Sequence, residues 1–109
     1  MAKLTINAAP TFFAEVAIPV PGKGDVKVKF EFKHRTRDEL DAWLKARADT
    51  TLSVAAADVQ SVMDMVKSWD FDDPFNESSV ATLLQSYIGT ARATIDTYID
   101  QLLKGRSGN

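Results

Sequence analysis

Eight consecutive residues, Val26-Lys27-Val28-Lys29-Phe30-Glu31-Phe32-Lys33, alternate apolar and charged side chains without a break. That pattern fits one regular structure, a strand whose side chains point alternately to a buried face and to water. A helix would scatter the same valines and phenylalanines around its whole circumference. Val26, Val28, Phe30 and Phe32 are therefore expected on the buried face, with the charged residues opposite. Just upstream, Pro21-Gly22-Lys23-Gly24-Asp25 collects residues that fix or free φ, and Thr11-Phe12-Phe13-Ala14-Glu15-Val16-Ala17-Ile18-Pro19 is rich in β-favouring types. Together they predict an antiparallel hairpin over residues 11–34.

From Thr36 onward the apolar spacing becomes helical. Thr36-Arg37-Asp38-Glu39 has the spacing of a capping box, which satisfies backbone amides that a helix start leaves unpaired. Leu40, Trp43 and Leu44 form the inward stripe of this helix, and Asp49-Thr50-Thr51 marks its end. Ser53 is placed to cap a second helix with Val59, Val62, Met63, Val66 and Trp69 on one face, and Asn76 a third with Val80, Leu83, Leu84 and Tyr87. Gly89-Thr90 breaks into a last one carrying Ala91, Ile95, Tyr98, Ile99 and Leu102, which Gly105 closes.

The expected fold is α+β: an N-terminal antiparallel β-hairpin packed against about four helices, with no strand after the hairpin. The chain has 109 residues, 45% hydrophobic and 26% charged, which suits one domain with its own core. Residues 11–34 supply the hairpin, 36–105 the helical part and 106–109 a flexible tail. A lone two-stranded hairpin is marginal in water, so it needs the helices, a further strand from residues 3–7, or a neighbouring subunit.

The chemistry-bearing residues fail one by one on geometry or missing partners. There is no cysteine, which removes disulfides, thiolate metal sites and cysteine nucleophiles. His34, the single histidine, sits among Lys33, Arg35 and Arg37, with no carboxylate nearby to orient it. Asp70, Asp72 and Asp73 resemble a calcium loop only until the register is counted: Pro74 falls on a ligand position and Phe75 where the sharp-turn glycine belongs. Gly22-Lys23-Gly24 opens no helix and reads as a turn rather than a phosphate cradle. Neither an enzyme nor a cofactor is expected.

The formal net charge of −2 is a poor match to a phosphate backbone. Strict alternation also puts Phe30 and Phe32 on the face opposite Lys27, Lys29 and Lys33, whereas single-strand binders mix aromatics and basic groups on one face. Nucleic-acid binding is thus disfavoured. No run approaches the roughly 20 apolar residues of a membrane span, and the start does not read as a secretory signal, so a cytoplasmic protein is expected.

Protein contacts remain. Lys23, Lys27, Lys29, Lys33, Arg35 and Arg37 crowd one segment, while Asp58, Asp64, Asp70, Asp72, Asp73 and Glu77 dominate a later one, a polarity suited to orienting self-association. Aromatics gather near both. Phe12 and Phe13 are neighbours in a strand and face opposite ways, and Trp69, Phe71 and Phe75 surround an acidic, proline-containing loop whose ordinary use for them is to staple it to the core. Phe12, Phe13, Lys27, Lys29, Phe71 and Phe75 are the candidate interface residues.

Several segments, in order, resemble the tail assembly chaperones of long-tailed bacteriophages. They are Ile18-Pro19-Val20-Pro21-Gly22 running into Val26 through Leu40, then Trp69-Asp70-Phe71-Asp72-Asp73-Pro74-Phe75-Asn76, then Leu83-Leu84-Gln85-Ser86-Tyr87, and the closing stretch from Ala91 to Asn109. The resemblance implies a protein of the host bacterial cytoplasm, encoded by a phage or prophage. Such a protein binds the tape measure protein, keeps it soluble while the tail forms, and is absent from the mature virion. It further implies a homo-oligomer, and a longer form, made by translational frameshifting, that recruits the tail tube protein. Two other readings stay open: a structural tail or connector protein, and a small nucleic-acid-binding regulator.

Overall fold

The computed structural model describes residues 4–105. In chain order it contains β1 (Thr11–Val20), β2 (Gly24–Lys33), α1 (Arg37–Ala48), α2 (Val54–Met65), β3 (Val66–Trp69), α3 (Glu77–Ser86) and α4 (Thr90–Lys104). The expected tail, 106–109, lies outside the described residues.

The hairpin forms as its alternation dictates. β1 and β2 pair antiparallel without a break, from Thr11 opposite Lys33 to Val20 opposite Gly24. The reversal between them needs left-handed backbone, supplied by Gly22 (φ 77°) and Gly24 (φ 87°), which carry no Cβ to clash. Ala14, Val16, Ile18, Phe30 and Phe32 share one face and are buried. Burial fades along β2 toward the turn: Phe32 and Phe30 are fully enclosed, Val28 is half-buried and Val26 is 37% exposed, whereas Ile18, opposite Val26 on β1, stays buried, because α4 packs along β1.

The structure adds a strand that the sequence pattern does not predict. Helical spacing carries the second helix through Val66 and Trp69, yet α2 stops at Met65, and Val66–Trp69 forms β3, antiparallel on β2. The sheet order is β1-β2-β3. Trp69 lies opposite Phe30, Ser68 opposite Glu31 and Val66 opposite Phe32, with Lys67 as the extra residue of a bulge. Val66-Lys67-Ser68-Trp69 satisfies either period over so short a run. The edge of β2, otherwise unpaired, decides it, since tertiary pairing overrides weak local preference. Residues 4–7 form no strand, so the third strand comes from 66–69 instead.

The helix starts follow their caps. Thr36 and Glu39 make both bonds of the capping box, at 3.3 and 2.8 Å. Ser53 accepts from Ala56 N–H and Asn76 from Ser79 N–H. Gly105 ends α4 in the left-handed region, its N–H donating to Gln101 C=O at 2.9 Å.

The helices cover the inner face of the sheet through a chain of rings. Tyr98, fully buried on α4, lies 5.4 Å from Phe32 and 5.6 Å from Trp43 of α1 between ring centres, and Phe12 stacks on both Phe32 and Tyr98. The Tyr98 hydroxyl donates to the Lys33 carbonyl at 2.7 Å and accepts from Arg35 Nη1 at 2.9 Å. Burial raises the Tyr98 pKa, with the Arg35 hydrogen bond working against that shift. Arg35 also donates to the Asp64 carbonyl and stands 5.0 Å from the Trp43 ring centre, tying β2, α2 and α4 together. At the other end, Gly89 brings α4 against β1 so closely that a Cβ there would sit 2.9 Å from Pro19 Cγ.

Candidate functional site

The end of β3 creates an opening. After Trp69, the Asp70 N–H donates to the Lys29 carbonyl at 3.0 Å and the chain then leaves the sheet, so Gly24–Val28 of β2, paired with β1 on one side, has no strand on the other. The departing loop is tied down by its own aromatics. Trp69 Nε1 donates to the Asp73 carbonyl at 2.8 Å, and the Trp69 ring meets Phe71 and Phe75 edge-on at 4.9 and 5.1 Å. Phe71 also packs edge-on against Phe30 at 6.1 Å. The Asn76 cap then launches α3 alongside.

Between the hairpin tip, this loop and α3 runs an apolar groove. Phe71, Leu83 and Tyr87 lie at its middle and belong to two adjoining recesses. One, about 190 Å³, runs under the tip against Ile18, Val20, Val26 and Val28, with Lys23 at its end. The other, about 400 Å³, lies between the loop and α3 and is lined by Trp69, Asp73 and the hydroxyls of Ser78, Ser79, Thr82 and Ser86. Tyr87 is 36% exposed and the adjacent Ile88 86%. Of the acidic residues in and after this loop, Asp73 lines the groove; Asp70, Asp72, Asp73 and Glu77 are all exposed, and among the described residues no ion pair reaches them.

The opposite face of the sheet carries no helix. Phe13 is 62% exposed there, with Lys29 Nζ 5.8 Å from its ring centre, and Lys27 and Lys33 are exposed on the same face. Glu15, opposite Lys29, and Glu31 intervene. Glu31 accepts from Thr11 and Ser68 at 2.8 and 2.9 Å, and these hydroxyls, Thr11 foremost, hold its carboxyl below the usual range. The bonds tie β1 and β3 to the central strand.

The six candidate interface residues therefore separate. Phe12 turns into the core; Phe13, Lys27 and Lys29 lie on the bare sheet face; Phe71 reaches the groove; and Phe75 chiefly packs on Trp69. The groove's Leu83, Tyr87, Val26 and Val28 read in the sequence as core positions. Their exposure depends on which strand of the hairpin the helices cover, which no local pattern encodes. His34 ends its strand with its N–H on the Pro10 carbonyl, and the described residues hold no group of three or more His, Asp or Glu arranged for a metal ion. Nor is any helix among them long and apolar enough to cross a membrane.

The α+β fold thus leaves open an apolar groove on one side of the hairpin and, on the other, a sheet face that no helix covers. The family model for phage tail assembly chaperones matches residues 1–109, and the chain belongs to that family. No curated protein and no solved structure matches the chain.

Proposed function

We propose that this protein binds the tape measure protein in the cytoplasm of the host, keeps it soluble while the tail is assembled, and is left out of the finished virion. It acts by binding alone, in several self-associating copies along one long client. A longer frameshifted form contacts the tail tube protein. The observation that carries the proposal is the groove around Phe71, Leu83 and Tyr87, open to solvent in a member of the tail assembly chaperone family. It accepts apolar side chains of a helix while the surrounding hydroxyls and carboxylates keep the unloaded chaperone soluble. Many modest contacts of this kind give avidity along a client while leaving each copy displaceable.

The test is co-expression with the tape measure protein of the same phage. The chaperone is expected to co-purify with it and raise its soluble fraction, and Leu83→Arg to abolish both while the circular dichroism spectrum is unchanged. A tape measure protein equally soluble with and without the chaperone would refute the reading, as would recovery of the chaperone in purified virions by mass spectrometry.

A further inference from the structure

We infer that the open edge of β2 at the hairpin tip receives an extended segment of a partner protein, which pairs there as an added strand and puts alternate side chains into the recess beneath. Two hydrogen bonds establish which way the main chain of β2 faces. His34 N–H reaches the Pro10 carbonyl, so Phe32, Phe30, Val28 and Val26 turn their N–H and C=O toward β1, whereas Asp70 N–H reaches the Lys29 carbonyl on the outer side. Strand alternation then aims the N–H and C=O of Lys27 and Asp25 outward as well. β3 has ended by that point, and no strand among the described residues pairs with these two donors and two acceptors.

The geometry also specifies the side chains of such a strand. Running antiparallel, in line with β3, it turns the residues opposite Val28 and Val26 to the helical side, where the recess of about 190 Å³ offers Phe71, Leu83 and Tyr87. Its residues opposite Lys27 and Asp25 lie on the bare face, each beside one exposed charge. The complementary segment therefore reads, from its N-terminus, apolar, acidic, apolar, basic. This chain's own exposed stretch, Leu4-Thr5-Ile6-Asn7, has the alternation but neither charge, which points to another protein as the occupant. The larger recess, between the loop and α3, is left for the helix of the client proposed above. The strand site rests on main-chain geometry and holds whatever that client is.

The experiment titrates isotope-labelled protein with the blocked peptide acetyl-Ile-Glu-Ile-Lys-Thr-amide and follows it by NMR. Binding with a Kd of about 1 mM or tighter is expected from four main-chain bonds and two small apolar anchors. Exchange of the Lys27 and Asp25 amides with water slows as occupancy rises, while the Val26 and Val28 amides, already bonded to β1, do not change. N-methylation of the peptide's Glu or Lys amide, which face β2, weakens binding about tenfold or more; at the second Ile, whose amide faces water, it leaves affinity within about twofold. Lys27→Pro abolishes binding with the fold retained, because proline is tolerated where an edge N–H faces solvent. The methylated peptides leave the protein untouched, so the test does not hang on that variant folding. Four results would each overturn the inference: no binding at about 5 mM peptide, binding that leaves Lys27 exchange unchanged as a docked helix would, methylated peptides that bind equally well, or Lys27 protection that rises with protein concentration without peptide, the mark of a second copy on the edge. Peptide binding and client solubilisation are read separately, so either reading can fail alone.

Discussion

Tyr98→Phe deletes one oxygen from the centre of the fold. That hydroxyl donates to the Lys33 carbonyl at the end of β2 and accepts from Arg35, so its loss leaves a part-buried carbonyl without its donor and a guanidinium with one acceptor fewer. Arg35 keeps the Asp64 carbonyl and its place over Trp43, which limits the damage on its side. An unsatisfied buried acceptor costs about 1–3 kcal/mol, so a loss of about 2 kcal/mol is expected, or roughly 10 °C in Tm for a domain of this size. Urea denaturation of wild type, Tyr98→Phe, Arg35→Met and the double variant measures it. The two sites share a hydrogen bond, so the cycle should show a coupling of at least about 0.5 kcal/mol. The pH dependence adds a second check. Burial raises the folded pKa of Tyr98, so the native state binds more protons between the unfolded value, about 10, and the folded one. Stability from this group is complete below pH ~10 and falls above it, a component that Tyr98→Phe lacks. A variant within 0.3 kcal/mol of wild type, with strictly additive effects, would refute the placement of this hydroxyl as the joint between sheet and helices.

Gly89→Ala puts a methyl group 2.9 Å from Pro19 Cγ and should destabilise by about 1–3 kcal/mol; Pro19→Ala in the same chain should recover most of the loss in thermal melts. Removing both hydroxyl donors to Glu31, with Thr11→Val and Ser68→Ala, should flatten the acid limb of the stability curve. Because the folded pKa of Glu31 is depressed from 4.5, its contribution is present above that value and lost as pH falls through the folded one. Ser68→Pro removes the N–H facing Glu31 across the β2–β3 pair, so amide exchange should accelerate along the outer side of β2 while the β1–β2 pairs stay protected.

The hairpin was legible because its signal is local. Alternation from Val26 to Lys33 names the buried face, two glycines make the turn, and pairing follows. Helix starts were legible for the same reason: Thr36, Ser53 and Asn76 bond to backbone amides three residues away. The candidate interface divided where local information ran out. That Phe12 and Phe13 face apart follows from strand geometry, but only the helical layer on one side of the sheet determines which of them remains exposed.

The amino-acid sequence by itself determined the α+β class, the hairpin with the buried face of its second strand, and the caps, all set by periods and bonds spanning a few residues. Tertiary structure decided the rest. Val66–Trp69 became a strand because β2 offered an unpaired edge, and β3 ended early enough to leave a slot beside the tip. Leu83 and Tyr87, core residues by their spacing, came to line that slot because α3 does not reach beneath the whole sheet. Burial is a property of what lies opposite, and residues far along the chain supply it.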